Sequence, residues 1–536
     1  MKQLARVLVC LLFTTALLAE TPVRLPWQEF AKDPKRVQSL RNAVATMRAR
    51  NTADKSSAEY RLSWEYWANM HGYFGPTALN GTVAQFRAKW NLTDPSFDAA
   101  FAGVVDTAPP DAIAEAVWDQ CQHRTNWFFP WHRLYLFYFE QVLQDAASDP
   151  SLRLPYWDYT EIANLGMPAE FTTPTYVNAD GQTVPNPLYE VRRQAGWNAP
   201  STNKLDSVGT DIDQTLDIDH LLDTTGPQGP VKGYQATIEQ TPHGVTVHCG
   251  VMQCKATVMG AVPYSSNDPI FYLHHCNIDR LWQCWQSIPG HEDPQGSWRD
   301  QEFSYINRIG NLVKNDVGDL FDGSLIDYVY RRPSNCTRDT PMVTLVRETP
   351  LAKGTVKPGD PVMARVRTAR AMLARPVLIG ETGATRIEGM VTRKRVTLPA
   401  TASLGHPRQF ALRSQSDLPV ATDLIIRGVR FRQHPGARVR VFLERVDQPS
   451  MRAQVGTLGF FSQDVAGGEH AHHEPAEDTF LFDATDALRA LRLEGTGRLD
   501  VQVTFEVVDE PLGPDFDAER VQLTIDEIEL QVRRDR

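Results

Sequence analysis

Two periods of apolar and polar positions divide this 536-residue chain. From Trp27 to about Arg332 the spacing is mainly helical. Apolar residues return every three or four positions in Pro34 to Arg50 and in Ala58 to Asn69, where Trp64 and Trp67 lie three apart, so both stretches are predicted as amphipathic helices. A bulky apolar run from Trp131 to Ala147 follows Pro130, a residue suited to the start of a helix. Another helix is predicted to open at Pro269 and run through Leu281 and Trp285. Between these pairs, about Ile162 to Gly233 is rich in Asn, Pro, Gly and Thr. A stretch of that length inside a domain predicts loops that shape a site.

The period changes after Arg332. Residues 333–357 hold scattered Pro and Thr with little periodicity and read as a linker. Beyond them come short apolar runs at Val362–Val366, Leu424–Val429, Val439–Leu443, Asp500–Val508 and Val521–Val532, separated by Gly and Pro turns. Strands at that spacing predict a β-sandwich or small barrel. The expected organisation is a mainly α, loop-rich domain over 20–332, the linker, and an all-β, sandwich-like domain over 358–536. Residues 1–19 stand apart: Lys2 and Arg6 precede an apolar run from Val7 to Leu18, and Ala19 is small. That order is the order of a secretory signal peptide and predicts a secreted or periplasmic protein. The run is short for a permanent span, and no other segment reads as transmembrane, so stable membrane insertion is not expected.

The formal charge of −10 is spread over residues of both signs with no acidic or basic block, which argues against a nucleic-acid partner. Seven cysteines are present. Leaving out Cys10, five of the remaining six (Cys121, Cys249, Cys254, Cys276 and Cys284, but not Cys336) cluster around histidine-rich segments. That clustering favours roles near a metal site, and the connectivity of any disulfides is not fixed by the sequence.

Six of the fourteen histidines fall into two sets of three: His71, His123 and His132, then His243, His248 and His275, with His274 just before the last. Imidazole suits copper, zinc and iron, and two all-histidine triads without adjacent carboxylates favour copper. His132 is expected to begin a helix while His123 enters from the preceding loop. His275 is expected early on a helix, with Asp279 four residues on and able to orient a nearby imidazole or arginine. His243 and His248 are five apart. Five residues turn a regular helix by about 500°, roughly 140° from facing, so either a π-bulge lies between them or His243 precedes the helix, as Pro242 hints.

Two long motifs carry a family resemblance. His123 to Glu140 reads HRTNWFFPWHRLYLFYFE, and Asp268 to Asp279 reads DPIFYLHHCNID. These resemble the two copper-binding signatures of the tyrosinase and catechol oxidase (polyphenol oxidase) family of type-3 copper proteins. Met70-His71-Gly72, Pro155 to Tyr159, and Tyr328-Val329-Tyr330 agree with it. The region after Arg332 resembles, more weakly, the domain that follows the core in plant and some bacterial polyphenol oxidases. The resemblance implies a four-helix bundle around two copper ions, the first held by His71, His123 and His132 and the second by His243, His248 and His275. It implies phenolic small molecules and dioxygen as partners, with o-diphenols oxidised to o-quinones. Phe128, Trp131 and Phe271 are candidate pocket walls, or core for the last two.

The same resemblance gives finer expectations. Glu239 matches a glutamate that holds an ordered water. Gly244 stands where monophenol-hydroxylating members often carry asparagine, which shifts the expectation toward diphenols. Val262, thirteen before His275, matches the position that overhangs the first copper. Cys121, two before His123, is a candidate for a thioether to that ring. The C-terminal domain is expected to cover the site, with Phe460 or Phe461 as a plug, until cleavage in the linker. Rival readings are a full tyrosinase, a haemocyanin-like oxygen carrier, and a dinuclear zinc hydrolase, for which neither motif supplies the usual carboxylate ligands.

Overall fold

The computed structural model of the chain describes residues 21–331, apart from 249–256 and a few shorter runs, and most of 377–533, apart from 388–390, 397–420, 432–437, 460–477, 492–500 and 509–522. The expected signal segment, the linker, Val362–Val366, Phe460, Phe461, Cys249, Cys254 and Cys336 lie outside the described residues. Buried apolar residues fall into two cores, one between Leu25 and Tyr330 and the other between Ile387 and Leu530.

The first core is helical. Helix α1, Pro34–Ala49, has proline in its first turn and Asp33 as its cap, whose carboxylate accepts from Lys35 N at 3.0 Å. The helix expected over Ala58–Asn69 is two: α2, Ala58–Arg61, and α3, Trp64–His71. Ser57 and Ser63 each accept from the main-chain N–H three residues on, so the second serine starts a new helix where periodicity alone reads one. Helix α4, Phe128–Ala147, begins three residues before Trp131, placing His132 in its second turn rather than at its start. Helix α5, Tyr234–Ile238, runs straight into a π-helix, Glu239–His248. Helix α6, Ile270–Gln286, is capped by Pro269.

Aromatic side chains fill the space between α3, α4 and α6. Phe139 stacks on Tyr272 at 3.7 Å between centroids, and Trp67, Trp131, Trp282 and Trp285 are fully buried. Burial of each such ring contributes on the order of 1.5–3 kcal/mol or more. One buried carboxylate ties the ends of the domain together. Asp279 of α6 accepts from Arg133 of α4 and from the Tyr328 and Tyr330 hydroxyls at 2.7 Å. Tyr330 lies in strand β2, Val329–Tyr330, which pairs in parallel with β1, Val23–Arg24. Arg24, fully buried, reaches Glu140 at 2.9 Å. Burial pushes the Asp279 carboxyl up, but Arg133 and Arg24 outweigh it and hold the group below the usual range. Asp279 therefore orients arginines rather than an imidazole.

The second core lies between two sheets. Strands β3 Val377–Thr382, β4 Thr385–Ile387, β6 Ala421–Phe431, β9 Asp478–Asp483, β11 Leu523–Ile525 and β12 Glu527–Arg533 form the larger, with β6 at its centre. Strands β5 Val391–Arg395, β10 Val501–Val508, β7 Arg438–Arg445 and β8 Arg452–Leu458 form the smaller, in that spatial order. The run expected over Val521–Val532 divides at Asp526, beside a bulge in β6 where Gly428 has φ +63° and abuts the Asp526 carboxylate. Among the described residues, no helix is long and apolar enough to cross a membrane.

Candidate metal centre

The two histidine sets come from distant parts of the chain and meet in the helical core. His71 ends α3, His123 sits in the loop before α4, and His132 is on α4. His243 and His248 lie on the π-helix and His275 on α6. The five-residue spacing is accommodated by i→i+5 winding over the whole Glu239–His248 segment, Pro242 included. Ring nitrogens of His71, His123 and His132, together with the Cys121 sulfur, lie within 4.8 Å of one another, and those of His243, His248, His274 and His275 do likewise. The two groups face each other: the His132 and His275 rings stack at 4.3 Å and 10°, and His123 is 5.6 Å from His243.

Main-chain carbonyls fix four of these rings. Nδ1 of His71 faces Val262 O at 3.1 Å, that of His132 faces Phe128 O at 2.7 Å, that of His243 faces Glu239 O at 3.2 Å and that of His248 faces Met259 O at 2.7 Å. A carbonyl only accepts, so Nδ1 carries the hydrogen and Nε2 keeps a lone pair for a metal. Burial, reinforced by the neighbouring imidazoles, holds His71, His243, His274 and His275 well below the ordinary histidine value. Burial likewise holds His132 at about 3. These rings are neutral and able to coordinate. Among the described residues, Nε2 of His71 and both ring nitrogens of His275 are buried without a hydrogen-bond partner, the situation a bound metal ion would relieve.

Cys121 belongs to the first cluster. Burial, then Glu239 and Asp119, push its thiol well above the usual value. Its sulfur lies 3.5 and 3.6 Å from the two ring nitrogens of His123, nearly equidistant, and 3.3 Å from His132 Nε2. Cys121 and Cys276 are free thiols, whereas Cys284 is disulfide-bonded.

Two phenylalanines line the centre. Phe128 lies 4.6 Å from His132 and 4.9 Å from His243, and Phe271 lies 4.7 Å from His71 and 4.2 Å from His275. Trp131 touches His132 at 4.9 Å but stacks on Tyr135, as a core residue does. His123 is half-buried whereas the other five histidines of the two triads are buried, so it lies on the solvent side. Glu239 is buried, accepts from Arg124 N at 2.6 Å, and is pushed by burial up to about 8. Val262 acts through its main-chain carbonyl, which holds His71. Sequence reading missed the carbonyl partners, which lie up to 191 residues away; it put His274 beside the second ligand set, and a ring nitrogen of His274 lies within 4.8 Å of those of His243, His248 and His275. Its contact with Tyr159, 2.9 Å from Nδ1, was legible only as part of a motif.

The C-terminal domain reaches this centre. The Asp206 carboxylate accepts from Gln454 Nε2 at 2.7 Å and Thr457 Oγ1 at 3.1 Å, and Gly459 packs against Val245 of the π-helix.

Comparison with known proteins agrees with the site. A family model described as the common central domain of tyrosinase matches residues 61–288. Tyrosinase HcTyr1 from a Hahella species is 30% identical over 323 residues, covering 56% of this chain and 61% of its own length. Polyphenol oxidase A1 of Vicia faba is 25% identical over 414 residues, covering 71% of this chain and 63% of its own. The chain thus spans a little over 60% of the length of these curated relatives. A solved latent aurone synthase, a polyphenol oxidase, superposes over 97% of this chain and 90% of its own with a TM-score of 0.52 at 18% identity, a likeness of fold.

Proposed function

From the match of residues 61–288 to the common central domain of tyrosinase, we propose that this chain is a dicopper polyphenol oxidase, a copper-dependent oxidoreductase that takes o-diphenols to o-quinones and dioxygen to water. The observation that carries the reading is the pair of imidazole clusters facing each other, with His132 stacked on His275 at 4.3 Å. His71, His123 and His132 would hold one copper, and His243, His248 and His275 the other. The bound pair supplies two-electron chemistry between dioxygen and a phenolate. The chain's own residues orient and exclude. Carbonyls of Val262, Phe128, Glu239 and Met259 aim four rings, and Phe128 and Phe271 keep the centre apolar. A thioether from Cys121 to the His123 ring would limit the swing of that imidazole.

The substrate reading is finer. Glu239 would hold an ordered water, as in the family. Gly244 offers that water no side-chain partner, so monophenol deprotonation lacks one of its supports and diphenols are preferred. Oxygen uptake with a matched monophenol and diphenol tests this. Catechol should be consumed promptly and phenol slowly or after a lag, and Gly244→Asn should raise the monophenol rate relative to the diphenol rate. Equal rates without a lag would overturn the preference.

The domain reading is a signal segment at 1–19, a four-helix catalytic domain at 20–332, a linker at 333–357 and a sandwich-like shield at 358–536. The protein would be exported and latent until the shield is removed, with Phe460 or Phe461 as the plug. The contacts of β8 with Asp206 and of Gly459 with Val245 support the shield. Limited proteolysis followed by a catechol assay tests it, and no gain of activity on trimming would leave the C-terminal domain without that role.

A further inference from the structure

The imidazoles of the second cluster differ in what their Nδ1 atoms face. His243 and His248 face carbonyls, which leaves Nε2 with a lone pair. His274 Nδ1 instead lies 2.9 Å from the Tyr159 hydroxyl, a group that donates as well as accepts. Both residues are fully buried. Another polar neighbour of the phenol, Asn277, has its carbonyl oxygen engaged by Arg280 Nε at 2.7 Å. Burial raises the Tyr159 pKa and Asn277 opposes that rise, as a group donating to the phenol oxygen does; if the imidazole donated as well, the phenol hydrogen would be left to compete with Arg280 for Asn277 Oδ1. With the phenol donating, Nδ1 accepts and the ring hydrogen resides on Nε2. That atom is buried and has no hydrogen-bond partner among the described residues. The ring stacks on His243 at 5.2 Å and 20°, and one of its nitrogens lies within 4.8 Å of a ring nitrogen on each of His243, His248 and His275.

We infer that His274 is a hydrogen-bond donor of the site, presenting Nε2–H to an oxygen of the phenolate bound beside the second copper, with Tyr159 as its positioning residue. The inference rests on the dicopper reading. A fourth imidazole on the metal would occupy a coordination position that substrate needs. A donor adjacent to it stabilises the anionic oxygen in a site from which water is excluded, where such a bond is strongest.

The test compares the copper-loaded wild type, His274→Phe and Tyr159→Phe by three measurements: copper per chain, the inhibition constant of benzoate, and the ring ¹⁵N spectrum of histidine-labelled protein in the diamagnetic copper(I) state. Benzoate serves as an aromatic ring with an anionic oxygen. All three proteins should hold two coppers. Benzoate should bind about tenfold or more weakly to His274→Phe, as expected on losing one bond to a charged oxygen, and less weakly so to Tyr159→Phe. The wild-type spectrum should contain a ring signal protonated at Nε2 that is absent from His274→Phe and redistributed between tautomers in Tyr159→Phe. Loss of copper from His274→Phe alone would make His274 a ligand and overturn the inference, as would unchanged benzoate affinity or a wild-type His274 protonated at Nδ1. A wild type without two coppers would sink the metal reading first. If His274→Phe does not fold, the wild-type tautomer and the Tyr159→Phe shift decide.

Discussion

Adding one methyl group at Gly459 should loosen the C-terminal domain from the π-helix that carries His243 and His248. A Cβ built at that position lies 2.6 Å from Val245 Cγ2 and 2.9 Å from its Cβ and Cγ1, against the roughly 3.5–4.0 Å of ordinary carbon contact. Val245 is 2% exposed and sits between His243 and His248 on the π-helix, so it has little room to yield. Overpacking of this kind costs about 1–3 kcal/mol, equivalent to about a 5- to 150-fold shift in the docking equilibrium. Backing away would also stretch the bonds from Gln454 and Thr457 to Asp206 on the same face. Uncleaved Gly459→Ala should therefore oxidise catechol at least about 5-fold faster than uncleaved wild type, approaching the trimmed enzyme. It should keep two coppers per chain and be cut faster between residues 333 and 357. Unchanged activity and cleavage at full copper content would refute the reasoning. A fall in copper content would mean that the π-helix had moved instead of the domain, which also contradicts it.

Three further outcomes are expected. His132→Ala and His275→Ala should each bind fewer than two coppers per chain by metal analysis, and full activity with zinc alone would contradict the copper assignment. A Cys121–His123 cross-link should appear after reduction as a peptide two hydrogens lighter than its sequence, whereas a freely alkylated Cys121 would rule it out. Burial pushes the Asp119 carboxyl up to about 7, above its unfolded value, so the unfolded chain binds fewer protons and stability falls as pH rises from about 4 to 7. Asp119→Asn tolerates the local φ of 59° and should flatten that part of the denaturation profile; an unchanged slope would exclude Asp119 as its source.

The sequence alone determined which residues could hold metal and which stretches were helical. Two long motifs and an all-imidazole ligand set are local properties, and periodicity places Pro34–Ala49 because it buries one face, whereas Ile270–Gln286 is buried nearly all round. Even the irregular helix was legible, since a five-residue gap between His243 and His248 does not fit regular winding, and the chain answers with Glu239–His248. Capping residues overrode periodicity at Ser63, which splits one expected helix into two. In the C-terminal domain, Val391–Arg395 was missed because charged residues fill its exposed face and conceal the strand. Tertiary structure alone decided which nitrogen of each ring faces inward, because that depends on the hydrogen-bond partner of the other nitrogen. The partner of His71 is Val262 O, 191 residues away, and that of His274 is a hydroxyl where His243 and His248 have carbonyls. Neither spacing nor composition encodes that difference; it arises when α3, the π-helix and α6 pack around one buried centre.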